Sequence, residues 1–207
     1  MIRHASTVTV IILIALFMTA CSSKSGSSID PEMLKGISGE RTVSVDRTSF
    51  KFQVTEFQKP IKMHIIERKA ATYSTPEEAV LSHLSAMKSL DYTWFRMSWD
   101  KLSLARLEER DKLGNVTPEV WKERWKKIPA PTFEMTHRIE YTVQGKPYTL
   151  VAYQWAADFP KQQSSKPHCI PLRKEGDRWY LTMDLAEDKG YGLVDELIQS
   201  GIAELVK

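Results

Sequence analysis

Aspartates that follow predicted strands and a group of aromatic residues are the side chains best placed to do chemistry. Asp158, Asp184 and Asp188 lie near predicted strand ends, where a carboxylate can enter the mouth of a cavity. A carboxyl group in apolar surroundings can act as a base because burial shifts its pKa. The aromatic residues that can line such a cavity are Trp121, Trp125, Tyr141, Tyr153 and Trp155. Alternatively, the rings form the hydrophobic core, and the aspartates cap turns or stay solvated.

The sequence carries no motif for metal binding, phosphate binding or nucleophilic catalysis. Its histidines are scattered, and no pair has the spacing of metal ligands; they include His64, His83, His137 and His168. His168 and Cys169 are adjacent, but neighbours on a strand point to opposite faces and cannot readily share a proton. We therefore expect Cys169 to be a buried structural residue, and we predict no cofactor and no catalytic residue.

The N-terminus has the three parts of an export signal. Met1–His4 carries one arginine, and an apolar run from Val8 to Ala20 follows. A helix needs about 20 apolar residues to cross the hydrocarbon core of a bilayer, so this run is too short. Its length suits the apolar region of a secretory signal, and Thr19 and Ala20 supply small residues at a cleavage point. Residues 1–20 are therefore predicted to be a signal peptide.

The sequence Met18-Thr19-Ala20-Cys21, followed by the serine-rich segment 22–28, resembles the lipobox and tether of bacterial lipoproteins. The resemblance implies that the Cys21 thiol carries a diacylglycerol and that the peptide is cut before it. Two or three acyl chains hold a protein stably on a membrane, whereas one does so only marginally. Ser22 stands where an aspartate usually retains such proteins in the inner membrane, which implies the periplasmic face of the outer membrane. The alternative is an ordinary signal peptide with an incidental cysteine.

Composition indicates one globular domain with a tail. The chain has 207 residues, of which 42% are hydrophobic and 27% charged, and its formal net charge is +3. These values are typical of globular proteins, and the small net charge gives no reason to expect nucleic acid as a partner. If Cys21 carries a lipid, Cys169 has no cysteine partner and no internal disulfide can form. The membrane, through the lipid, is the partner that the sequence predicts most directly.

The periodicity of apolar residues divides the chain into four segments. Residues 21–40 are rich in Ser and Gly and are predicted to form a flexible tether. Residues 41–70 show the two-residue alternation of strands and are predicted to form an N-terminal β-hairpin extension that turns at 56–60. Residues 71–207 contain four helical patterns, then strand patterns from Phe133 onward, and a last amphipathic helix at about 193–206. Thr75, Pro76 and Glu78 are typical of the start of the first helix.

This order of elements predicts an α+β fold in which helices pack on one face of a curved antiparallel sheet. The pattern resembles the cone-shaped fold of the nuclear-transport-factor-2-like superfamily. The resemblance is carried by the stretches Thr75–Val80, Leu90–Tyr92 and Glu175–Tyr180. It implies a pocket between helices and sheet, which is an active site in some relatives and binds ligands or proteins in others. An unrelated α+β domain is the alternative.

These observations favour a membrane-anchored envelope lipoprotein that acts as a non-enzymatic module. We expect it to bind a small apolar ligand or to assemble with an envelope protein. The competing hypothesis is a small cavity enzyme, such as a hydrolase, isomerase or dehydratase, that uses buried Asp158 or Asp184. A third possibility is a structural envelope protein with a filled core and no pocket.

Overall fold

A single antiparallel sheet organises the protein. The computed structural model describes residues 29–45, 47–128, 132–155 and 167–199. Within them the sheet has six strands in sequential order, each paired with the next along the chain. The strands are β1 Gly36–Val45, β2 Thr48–Met63, β3 Phe133–Val143, β4 Lys146–Trp155, β5 His168–Glu175 and β6 Arg178–Leu181.

Four helices connect β2 to β3, and a fifth follows β6. They are α1 Pro76–Lys88, α2 Tyr92–Met97, α3 Lys101–Leu113, α4 Pro118–Lys126 and α5 Lys189–Gln199, with 3-10 turns at Pro31–Leu34 and Arg68–Ala70. The architecture is therefore α+β, as the sequence predicts. No helix within these described ranges has both the length and the apolar character needed to cross a membrane.

Side-chain caps set the start of each helix between β2 and β3. The capping box predicted for α1 is confirmed, because Thr75 Oγ1 accepts a hydrogen bond from the Glu78 N–H at 3.2 Å and Glu78 Oε2 accepts from the Thr75 N–H. Asp91 caps α2 through the Trp94 N–H at 2.9 Å. Asp100 caps α3, where it accepts from the backbone of both Leu102 and Ser103. Each cap satisfies N–H groups that have no partner inside the helix.

The prediction of a hairpin turn at 56–60 is wrong. The chain instead turns between β1 and β2 next to Arg47, whose φ of 67° is left-handed. β2 continues through 56–60, where its register against β3 shifts between Glu56 and Ile61. Pro60 has no N–H to donate to a ladder, and such residues are tolerated at a bulge. β1 also begins at Gly36, inside the range 21–40 predicted to be a tether.

A second irregularity lies in β3 and decides which side chains face which helices. The register against β4 shifts between Met135 and His137. Phe133 and Met135 pack in the core beneath α1, whereas Ile139 and Tyr141 pack on the opposite side of the sheet. Because a strand alternates with a period of two, one extra residue moves all later side chains to the other face.

The sheet is covered on both faces. We call the side that packs against α1–α4 the helical face and the side that packs against α5 the C-terminal face. The helical face buries Leu84, Phe133, Met135, Val151 and Leu172, among others. The C-terminal face buries Phe52, Val54, Ile139, Leu150, Val194 and Ile198. Helices were expected on one face only, so the placement of α5 differs from that expectation.

Candidate functional site

A pocket opens on the helical face between the helices and the strands β4–β6. Its volume is about 320 Å³. We call it the aromatic pocket because several rings line it; these are His83, Phe95, Trp99, Trp121, Trp125 and Tyr153. The rings come from α1, α2, α4 and β4 and from the segment after α2. Aliphatic side chains such as Leu107, Ile170 and Leu181 line much of the rest, and Arg110, Cys169 and Thr182 also contribute. A concave and mostly apolar site of this size is typical of a small-molecule binding site.

Phe95 stands at the centre of the ring packing. Its ring centroid lies 4.9 Å from that of Trp125, 4.8 Å from His83 and 5.6 Å from Trp121, in tilted arrangements. Trp121 and Trp125 are four residues apart and therefore share one face of α4, with centroids 5.9 Å apart. These separations are those of favourable aromatic pairs, which hold the pocket wall in shape.

His83 is a titratable group of the pocket wall that is almost fully withdrawn from water. Only 5% of its surface is exposed, and burial lowers its pKa to about 3. The imidazole is therefore neutral at physiological pH. Burial also raises the pKa of the Tyr153 phenol to about 12, with smaller contributions from Asp195 and Cys169. Neither group carries a charge near neutrality, so this part of the pocket is uncharged.

Arg110 and Arg124 lie beside the Trp121 ring, and Arg110 also lines the pocket. The Arg110 guanidinium carbon is 5.9 Å from the centre of the Trp121 ring, and that of Arg124 is 5.3 Å from it. Asp111 accepts a hydrogen bond from Trp121 Nε1 at 2.6 Å and lies 3.8 Å from Arg110. These contacts fix the Trp121 ring from outside, and the carboxylate offsets the charge of Arg110.

The residues proposed from the sequence as pocket candidates fall into separate places. Trp121, Trp125 and Tyr153 line the aromatic pocket. Tyr141 faces the opposite side of the sheet, where its hydroxyl donates to Asp188 at 2.9 Å. The Trp155 backbone pairs with β3, but its side chain is outside what the structure describes. Asp158 and the lipidation candidate Cys21 also lie outside the described residues.

Asp184 belongs to an ion-pair cluster and not to the aromatic pocket. Its Oδ2 accepts from Arg173 Nη1 at 2.9 Å and from the Tyr148 hydroxyl at 3.3 Å, and Arg106 lies 3.8 Å away. Arg173 also reaches Asp100, the cap of α3, at 3.8 Å. The carboxylate thus ties the β6–α5 connection to β4 and β5. The enzyme hypothesis requires a carboxylate within a cavity. Asp184 does not line the aromatic pocket, but with Arg106 and Met183 it lines a separate depression of about 480 Å³.

His168 and Cys169 lie on opposite sides of β5, as the strand alternation predicts. His168 is exposed, whereas Cys169 is buried within the C-terminal face. Burial raises the pKa of the Cys169 thiol far above its usual range, and the charge of Asp195 adds to this effect. A thiol that stays protonated is a poor nucleophile. No group of His, Cys, Asp and Glu in the described part of the chain is arranged to hold a metal ion.

His83, Phe95 and Trp99 are pocket residues that sequence reasoning did not select. A signal for His83 exists, because it lies three residues after Val80 and four before Met87 on the apolar face predicted for α1. Trp99 lies after α2 and is positioned by a parallel bridge to Leu181 in β6. That contact joins distant parts of the chain, so local periodicity does not reveal it.

No family model, curated protein or solved structure matches this chain. The resemblance to the nuclear-transport-factor-2-like superfamily therefore stays a prediction, and the candidate site rests on its geometry.

Proposed function

We propose that the protein is a lipid-anchored envelope protein whose aromatic pocket binds a small apolar ligand without changing it chemically. The observation that carries this proposal is the pocket itself, a space of about 320 Å³ walled by aromatic rings. Apolar surface that leaves water on binding contributes about 25 cal/mol per Å², so such a wall favours an apolar occupant. The volume suits a molecule of about two fused rings, because binding pockets for larger ligands reach about 1,000 Å³.

The absence of a charged acid–base pair from the described pocket wall supports binding over catalysis. General acid–base chemistry requires a group whose pKa lies near the working pH. His83, with a pKa of about 3, and Tyr153, with one of about 12, both lie far from neutrality. The ligand that fits this wall is held by contact and stacking, which is the behaviour of a carrier or sensor.

The anchor and the location rest on the lipobox sequence. Cys21 would carry the lipid, and the proposed location is the periplasmic face of the outer membrane because residue 22 is Ser. In this arrangement the pocket works within a tether's length of the bilayer. An apolar ligand that partitions into lipid would then be concentrated next to its binding site. Assembly with an envelope protein remains the second mode that the anchor would allow.

Replacement of Cys21 tests the anchor. We expect Cys21→Ala to move the protein from the membrane pellet to the soluble fraction after cell lysis. Cys169→Ala is the matched control, because it removes the other cysteine and should leave the protein in the pellet. An unchanged distribution of Cys21→Ala would contradict the lipid anchor.

Equilibrium dialysis with 2-isopropylnaphthalene tests the pocket. We expect saturable binding at one site of the intact protein. Binding should be lost in Met87→Trp, because Met87 lines the pocket and the indole ring would occupy space that the ligand needs. Leu113→Trp is the matched control because Leu113 is 79% exposed and does not line the pocket. Lack of saturable binding by the intact protein would contradict the proposed function.

A further inference from the structure

The N-terminal part of the described chain joins the domain at one end of the sheet. Ile29 is only 5% exposed and belongs to the same core cluster as Ile61 of β2. The 3-10 turn Pro31–Leu34 packs against β2, and the Gln58 N–H donates to the Lys35 carbonyl oxygen at 3.3 Å. The chain is therefore fixed to the domain from residue 29 onward.

The strand register shows which end of the sheet this is. Ile61 pairs with Met135 near the start of β3, and Met135 pairs with Tyr153 near the end of β4. β3 ends at Val143, before the turn to β4. At about 3.3 Å per residue, Met135 and Val143 are about 26 Å apart. We call the end of the sheet at Ile61 and Met135 the proximal end and the end at the β3–β4 turn the distal end.

The length of chain before Ile29 limits how the domain can face a membrane. Eight peptide units separate Cys21 from Ile29. At about 3.6 Å for each unit, a lipid-bearing Cys21 lies within about 29 Å of Ile29. If the distal end faced the bilayer, the sheet alone would raise Ile29 about 26 Å above the lipid surface. Nearly every residue of the tether would then have to be extended, which costs conformational entropy at each of them. The proximal end can face the bilayer without this cost.

The side chains exposed at the proximal end suit a lipid surface without net charge. Met33 is 45% exposed in the 3-10 turn, and Lys59 is exposed in the irregular part of β2. A lysine can lay its apolar stem along such a surface while its ammonium group stays among the headgroups. Asp30 and Glu32 offset the charges of Lys59 and Lys35, and Glu32 lies 2.6 Å from Lys35. Contact here therefore does not require anionic lipid.

We propose that the domain rests on a phospholipid bilayer with the proximal end of its sheet, so that Met33 and Lys59 lie at the level of the headgroups. This inference rests on the proposed function, because it requires the lipid on Cys21. It also bears on the aromatic pocket. Tyr153 lines that pocket and lies two strands from Ile61, which is about 10 Å. An apolar ligand dissolved in the bilayer then has a short path to the pocket.

Quenching of site-specific labels tests the orientation. The full-length lipidated protein is placed in phosphatidylcholine vesicles that carry a nitroxide on the lipid headgroup. The fluorophore bimane is attached to Met33→Cys, to Lys59→Cys or to the matched control Lys146→Cys, an exposed position at the distal end. We expect most of the fluorescence to be lost at positions 33 and 59 and little at position 146, because a nitroxide quenches only a label that it can approach closely.

Two further samples control the measurement. The natural protein carried through the same labelling gives the background, because Cys169 is buried and Cys21 would carry the lipid. The double variant Cys21→Ala/Met33→Cys, added to the same vesicles, should keep its fluorescence, because the tether no longer holds it at the surface. Circular dichroism identifies the folded variants, and positions 33 and 59 test the same end independently if one of them does not fold.

The possible outcomes separate the orientation from the anchor. If the protein floats with the vesicles but position 146 is quenched as much as position 33 or more, the inference is wrong while the anchor stands. The same holds if the protein floats and no label is quenched, since the domain is then held away from the lipid. Quenching of the Cys21→Ala/Met33→Cys variant would also overturn the inference, because the contact would not depend on the tether. If the lipidated protein does not float with the vesicles, the proposed anchor itself fails and the inference fails with it.

Discussion

The two faces of the sheet are both covered by helices, but the helices pack differently: within the described residues α5 lies close against the sheet, whereas α1–α4 leave the aromatic pocket between them and the sheet. On the C-terminal face, α5 packs closely, and two of its polar side chains find partners in the sheet. Asp195 accepts from the Cys169 N–H at 2.9 Å, and the Tyr191 hydroxyl donates to the Cys169 carbonyl oxygen at 2.9 Å. On the helical face, Trp99 and Trp125 line the pocket, and their indole nitrogens have no hydrogen-bond partner in the part of the chain that the structure describes.

The difference has a physical origin in the residues at each contact. Gly190 lets α5 approach the sheet so closely that a Cβ atom there would lie 2.2 Å from the Tyr141 hydroxyl. On the helical face, four short helices meet around the large rings of Phe95 and Trp125, which cross at 49°. The comparison indicates that α5 approaches the sheet closely at Gly190, whereas on the helical face the aromatic pocket has room for another molecule.

The largest change in the free energy of unfolding is expected from replacement of Asp100, which links α3 to the sheet. Asp100 is 1% exposed, accepts hydrogen bonds from Ser103 Oγ and the Ser103 N–H, and lies beside Arg173. We expect Asp100→Ala to lower the free energy of unfolding by about 3 kcal/mol, because it removes a helix cap and leaves buried donors unpaired. Urea unfolding measures this change, and binding of 2-isopropylnaphthalene should weaken because α3 forms part of the pocket wall.

Thr117→Ala is the matched control for Asp100→Ala. Thr117 caps α4 by the same type of contact, but it is exposed and its hydrogen bond to the Val120 N–H is 3.4 Å long. The expected loss is about 1 kcal/mol or less. Equal losses for the two variants would show that burial and the contact with Arg173 add nothing to the cap of α3.

The sequence predicted the elements that depend on local contacts. The α1 cap and the turn at Gly176 before β6 involve residues within a few positions of each other. The β3–β4 turn is also where alternation placed it, with Gln144 and Gly145 at φ of 50° and 78°. Positive φ values at both central residues suit the two-residue turns that join antiparallel strands. Local pattern was therefore sufficient for the α+β class and for most helix and strand positions.

The strand register and the complete set of pocket residues depended on contacts between distant parts of the chain. The shift in β3 between Met135 and His137 moved Tyr141 to the C-terminal face, away from the tyrosine and tryptophans with which it had been grouped. Nothing in the spacing of residues 133–143 marks that extra residue. Likewise, Trp99 reaches the pocket only because it bridges to Leu181. Half of the aromatic wall was predictable from helix and strand periodicity, and the remainder required the tertiary fold.

The second-largest change in stability tests whether α5 must lie close against the sheet on the C-terminal face. In Gly190→Ala the new methyl group would collide with Tyr141 and with Phe50, whose Cδ1 lies 2.5 Å from the Cβ position. We expect the free energy of unfolding to fall by about 2 kcal/mol, since overpacking forces neighbouring groups to move. Binding of 2-isopropylnaphthalene to the aromatic pocket should not change, because the substitution lies on the other face.

Gly192→Ala provides the control within the same helix. No atom lies within 4 Å of its Cβ position, so the methyl group meets open space. Alanine favours helix over glycine, and stability should stay the same or rise by up to about 1 kcal/mol. If Gly190→Ala is as stable as Gly192→Ala, α5 is not held by close approach, and the contrast between the two faces fails.

The smallest expected change in stability comes from protonation of the pocket wall and appears only at acidic pH. His83 has a folded-state pKa of about 3, against an ordinary value of 6.5. Below about pH 6.5 the unfolded chain takes up a proton that the folded protein excludes, so stability falls until the pH nears 3. From pH 7 to pH 5.5 this group should lower the free energy of unfolding by about 1 kcal/mol.

The measurement is urea unfolding at both pH values for the natural protein and for His83→Phe. This variant keeps an aromatic ring beside Phe95, whose centroid lies 4.8 Å from that of His83, but it cannot take up a proton. The variant should lose about 1 kcal/mol less on acidification, whereas His168→Gln, at an exposed position, should behave like the natural protein. Equal losses in all three proteins would mean that His83 reaches water, and the helical face would then lack the dry wall that an apolar ligand requires.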